Sequence, residues 1–149
     1  MAVHRGGLMT WDQHRLLMHW ACLCAENVLS MSGKPVDERL LSALNVGREW
    51  EKGKATVGEA RKASVQAHCV ARESTNPHDT AIARSVGHAV ATAHMADHSL
   101  GAALYALKAV KINGMSVEEE RKWQNEQIPE EMKEFVLFAR SLKEMHFRI

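Results

Sequence analysis

The sequence predicts an all-α protein, a compact bundle of about six to seven helices that are mostly antiparallel neighbours. Three observations carry that expectation. The chain is rich in Ala, Leu, Met, Glu and Lys and poor in Ile, Phe and Tyr, which favours helices over strands. Apolar residues recur three and four apart along most of its length, and no segment alternates as a strand does. The three prolines, Pro35, Pro77 and Pro129, fall between the periodic segments instead of inside them. A length of 149 residues is near the commonest size for one domain, so residues 1–149 are read as a single helical domain, with 1–10 a flexible N-terminal segment.

The first helix opens at Thr10, which with Gln13 has the spacing of a capping box. Leu16, Leu17, Trp20, Cys24 and Val28 mark its inward face, and Ser30 to Pro35 form the loop that follows. A second helix spans about Asp37 to Lys52, with Leu40, Leu41, Leu44 and Trp50 inward and Gly53 supplying a left-handed stop. Thr56 and Glu59 make another capping box, so a third helix starts almost at once and pairs antiparallel with the second. Its inward residues are Ala60, Ala63, Ala67 and Val70, and Ser74 to Pro77 end it. From Asp79 to Lys111 small residues dominate, which lets helix backbones approach closely and marks the centre of the bundle. One straight helix of that length would reach roughly 50 Å, too long for this domain, so a break is expected near Asp97 to Ser99. Asn113 and Gly114 stop the segment, and Ser116 with Glu119 opens the next helix by a third capping box. After Pro129 a last helix carries the stripe Phe135, Phe138, Ala139 and Leu142, read as its buried face.

Charge and composition exclude several functions. Nineteen Lys and Arg against 18 Asp and Glu leave no strong field to attract nucleic acid or an anionic membrane surface. The longest apolar stretch, Leu16 to Leu29, is too short and too polar to span a bilayer. Met1 to Thr10 hold no secretory h-region, and three cysteines do not make a secreted disulfide framework. A cytoplasmic protein is expected.

The pattern closest to an active-site motif is His94-Met95-Ala96-Asp97-His98. Its two histidines share one helix face, as paired zinc ligands do, and its order echoes an inverted zincin with Asp for Glu. No third ligand is identifiable and the shorter acid displaces the base, so no metal and no cofactor are expected, with His94 and His98 as the ligands if a metal is held. His68 next to Cys69 suggests a nucleophilic pair, but Cys69 lies among Ala67, Val70 and Ala71 and is read as a core residue. Cys22 and Cys24 are two apart on one helix, which points their thiols in different directions. Trp11, Trp20, Trp50 and Trp123 are unusual against a single Tyr; most belong in a core, and one near a helix end can anchor a partner.

Four stretches carry a family resemblance: WACLCAENVL from Trp20; REWEKGKATVGEARKAS and AHCVAR within residues 43–72; AIARSVGHAVATAHMADHSLGAALYALKAV from Ala81; and ERKWQNEQI from Glu120. Together they resemble the immunity proteins of bacterial polymorphic-toxin systems, in the small helical group called immunity-protein-five-like, over about Trp20 to Ile128. The resemblance implies a non-enzymatic protein whose partner is a cognate toxin that it binds and neutralises. The matching positions His68, His88, His94, Asp97, His98, Trp50, Trp123 and Gln124 then form either a binding pocket or a polar network that fixes the core. Many immunity proteins meet basic nucleases with acidic surfaces, and the near-neutral charge here argues against a nuclease target. The rival readings are a metal-binding protein or metal-dependent hydrolase using His94 and His98, and a structural helical homo-oligomer.

Overall fold

Local chemistry at the helix ends sets the boundaries of the fold. The computed structural model describes residues 9–149, so most of the expected flexible segment lies outside the described residues. Of that segment, Met9 is 8 % exposed and Thr10 caps the first helix. The described residues form seven α-helices: α1 (Trp11–Leu29), α2 (Glu38–Glu51), α3 (Val57–Glu73), α4 (Pro77–Ala91), α5 (His98–Ile112), α6 (Val117–Gln127) and α7 (Lys133–Glu144), with a 3-10 turn at Glu130–Met132. They contain no strand.

Thr10 with Gln13 and Thr56 with Glu59 form complete capping boxes, each side chain bonding the other residue's backbone N–H. At α6 only half of the expected box forms, with Ser116 accepting from the Glu119 N–H at 3.2 Å. Asn76 caps α4 ahead of Pro77, whose missing N–H costs nothing in a first turn. Gly53 and Gly114 take φ of 77° and 72° and stop α2 and α5 as expected.

The core is built on α1, α4 and α5, with α2 and α3 on one side and α6 and α7 on the other. Ten of the nineteen residues of α1 are buried, among them His14, Leu17, Trp20, Cys22 and Cys24. The two thiols do diverge: Cys22 lies toward Gly47 of α2, while Cys24 lies in the field of Glu120 and Arg140. Burial pushes the Cys22 thiol up to about 12 and raises Cys24 well above the ordinary range, so both are inert packing groups.

Small residues bring α3, α4 and α5 so close that serine hydroxyls reach across to neighbouring backbones. Ser64 donates to the Gly87 carbonyl and Ser85 to the Ala102 carbonyl, both at 2.8 Å. The break in the long segment runs from Thr92 to Asp97, beginning upstream of the expected position. There the buried His14 of α1 donates from Nε2 to the Thr92 carbonyl, which the end of α4 leaves without a helical donor.

Two inward faces differ from expectation. Leu41 is 52 % exposed, and α2 instead buries Leu40, Ala43, Leu44, Gly47 and Trp50. In α7 the expected buried stripe faces outward: Phe135, Phe138 and Leu142 are 50, 63 and 51 % exposed, and Ala139 is half-buried. The buried residues are Val136 and Arg140. Arg140 sets this rotation by donating to the Gln124 side chain at 2.9 Å and to the Asn125 side chain, and an Arg121–Glu144 ion pair at 2.6 Å adds a second tie to α6. No helix among the described residues is long and apolar enough to cross a membrane.

Candidate functional site

Glycine inside a helix costs about 1 kcal/mol relative to alanine, so an interior glycine implies that something lies against it. In α4 and α5 that something is imidazole. A Cβ on Gly87 would sit 2.6 Å from the His68 ring, and one on Gly101 would sit 2.7 Å from Nδ1 of His88. These seats align a run of histidines across α3, α4 and α5. Ring centroids are 5.3 Å apart for His68 and His88, 5.3 Å for His88 and His98, and 5.0 Å for His98 and His94. Tyr105 stacks on His88 at 5.2 Å, and Phe147 meets Tyr105 edge-on at 5.0 Å. All four histidines are half-buried.

Their protonation follows from their neighbours. Arg84 donates to Nδ1 of His68 at 2.9 Å, so that nitrogen accepts and the ring proton resides on Nε2. Nδ1 of His88 and Nδ1 of His98 lie 3.2 Å apart, a distance that requires one to donate and the other to accept. Burial, then the charges of Arg84 and Arg72, lowers His68 to about 4. Burial and the neighbouring His68 and His98 lower His88 to about 3, with Lys143 and Arg84 adding to the effect. Burial, His94 and Lys143 lower His98 to about 4, against an opposing pull from Asp97. His68, His88 and His98 are therefore neutral at physiological pH, with Arg84, Arg72 and Lys143 around them.

These depressed values link to stability. An unfolded histidine takes its proton near pH 6.5, whereas these three resist protonation until about pH 4 or below. The unfolded chain thus binds more protons through that window, and the cluster's contribution is complete above about pH 6.5 and is lost as the pH falls toward 4. The urea midpoint is expected to drop across this range, and His88→Gln should flatten the drop. A wild-type midpoint that stays level from neutral pH to about pH 5 would contradict the neutral cluster.

The eight sequence-singled residues fall in three places. His68, His88, His94 and His98 come together, with Asp97 acting on His98. Trp50 lies elsewhere, against the buried His14 at a centroid distance of 5.1 Å, and His14 also stacks on the half-exposed Trp11. Gln124 sits at a third place as a fully buried clamp: its Nε2 donates to the Ala103 carbonyl at 3.0 Å, its Oε1 accepts from Arg140, and its backbone carbonyl accepts from the Trp20 indole at 3.0 Å. Trp123 beside it is half-buried. Cys69 is half-buried too, not a core residue, and takes a 3.1 Å contact from Arg72. Sequence reading missed Arg84, Tyr105, Lys143 and the glycine seats, and the interior glycines were the signal that could have found the last.

The His94 and His98 rings touch, yet among the described residues no group of three or more His, Cys, Asp or Glu is arranged to hold a metal ion. The cluster offers imidazole and guanidinium hydrogen-bonding groups on a rigid aromatic base, an arrangement suited to recognising a partner surface.

No curated protein and no solved structure is significantly similar to the chain. A family model described as Imm-5 like putative immunity protein matches residues 7–131, which takes in α1 to α6, all four histidines of the cluster and Gln124. The chain belongs to that immunity-protein family.

Proposed function

We propose that this protein binds a cognate bacterial protein toxin and neutralises it by occupancy, without turning over a substrate. The observation that carries the reading is the family match across residues 7–131. What supports placing recognition at His68, His88, His94, Asp97 and His98 is their half-buried setting, with His68, His88 and His98 neutral at physiological pH and Arg72, Arg84 and Lys143 flanking them. Such a surface donates and accepts hydrogen bonds while charged groups at its rim steer association.

Asp97→Asn combined with His98→Gln tests this reading. The change removes the Nδ1 contact from His98 to His88 and the acid acting on His98. It is expected to weaken binding to the cognate toxin by at least tenfold, with about 1 to 2 kcal/mol of stability lost as well. Calorimetric titration against the purified toxin and a urea curve read the two effects separately. Unchanged melting and unchanged toxin binding, together with loss of a hydrolytic activity found on a broad substrate panel, would replace the immunity reading with an enzyme built on His94 and His98.

A further inference from the structure

The outward face of α7 continues past Phe135, Phe138 and Leu142 to Met145, which is 74 % exposed. The spacings of three, four and three residues are those of the a and d positions of a coiled-coil seam. This face cannot satisfy itself by rolling inward, because the opposite side of α7 is held by Val136, 0 % exposed, and Arg140, 3 % exposed. The residues bordering the seam include Ala139 and Ser141, both small and uncharged, so a second helix can approach to the usual 8–10 Å. Contiguous apolar surface of this kind marks a contact site.

The seam is self-complementary about Arg140. In an antiparallel pair of α7 helices, Phe135 of one copy faces Met145 of the other and Phe138 faces Leu142. The charges follow the same symmetry. Glu131 and Glu134 are exposed at the start of α7, and Arg148 is exposed just past its end, beside the exposed His146. Antiparallel pairing sets acids against bases at both ends, whereas parallel pairing sets like against like. We propose that α7 is the interface of a homodimer, in which two copies pack this seam antiparallel across a two-fold axis near Arg140. One short helix pair buries less than the roughly 800 Å² per partner of a standard interface, so the dimer dissociates on dilution through the micromolar range. Because α7 lies beyond residue 131, where the family match ends, this inference does not rest on the toxin-binding reading.

Sedimentation velocity over a micromolar concentration series tests it on the full chain. Wild type is expected to shift from monomer to dimer as concentration rises, and Phe138→Glu to stay monomeric with an unchanged helical spectrum. Glu134→Lys, and separately the pair His146→Glu with Arg148→Glu, should each weaken the dimer by about tenfold. Mixing those two proteins should restore it, because an antiparallel heterodimer then matches opposite charges at both ends. A wild type that stays monomeric throughout, a Phe138→Glu protein that still dimerises, or a mixture no tighter than its components would each overturn the proposal. A monomeric wild type whose toxin binding is lost in Phe138→Glu would assign the seam to the toxin instead.

Discussion

Replacing Gln124 by Leu is expected to destabilise the protein by about 3 kcal/mol, lowering the melting temperature by roughly 6 to 12 °C. Gln124 is fully buried, and its side chain joins the Ala103 carbonyl on α5 to the Arg140 guanidinium on α7. Without the amide, Arg140 loses a buried acceptor while remaining 3 % exposed, and burial already lowers its pKa, a sign that its charge is held at a cost. An unsatisfied buried polar group costs about 1 to 3 kcal/mol and an unpaired buried charge more. Pairing Gln124→Leu with Arg140→Met should recover part of the loss, since the double variant leaves no stranded cation. Urea titrations of the four proteins give the coupling directly. Strictly additive losses would show that the two side chains do not act as a unit.

Trp20→Ala should be at least as damaging, at about 3 to 5 kcal/mol out of a total of about 5 to 15. Trp20 is the largest fully buried side chain, and its indole N–H donates to the Gln124 backbone carbonyl. Trp20→Phe keeps most of the packing and loses only that donor, so about 1 to 2 kcal/mol is expected. If Trp20→Ala cost under about 1 kcal/mol by chemical denaturation, α1 would not belong with α4 and α5 in the core described above.

What could be read in the sequence was local. Capping boxes join residues three apart, and the complete ones at Thr10 and Thr56 marked the starts of α1 and α3. Glycine stops at Gly53 and Gly114 were legible for the same reason. Periodicity located the stripe of α7 but not its side: Phe135, Phe138 and Leu142 form a regular apolar row, and only Gln124 and Asn125, more than a dozen residues upstream, reveal that Arg140 is the inward group. The Thr92 carbonyl at the start of the break is met by His14, 78 residues away in sequence, a contact that no local pattern encodes. The site shows the same division. His94 and His98 stood out because they are four apart, whereas the contact between His88 and His98 and the addition of His68 arise from helices packed through Gly87 and Gly101. Trp50 and Gln124 were among the matching positions beside the histidines, yet their places are the His14 contact and the interhelical clamp.

The central claim is neutralisation by binding, and its most direct measurement is co-expression with the cognate toxin, with complex stoichiometry determined on the purified pair. The account predicts that cells survive the toxin only when this protein is present, and that each toxin molecule recovered is bound by one chain. Survival without a complex, or no protection from a toxin that this protein demonstrably contacts, would contradict it.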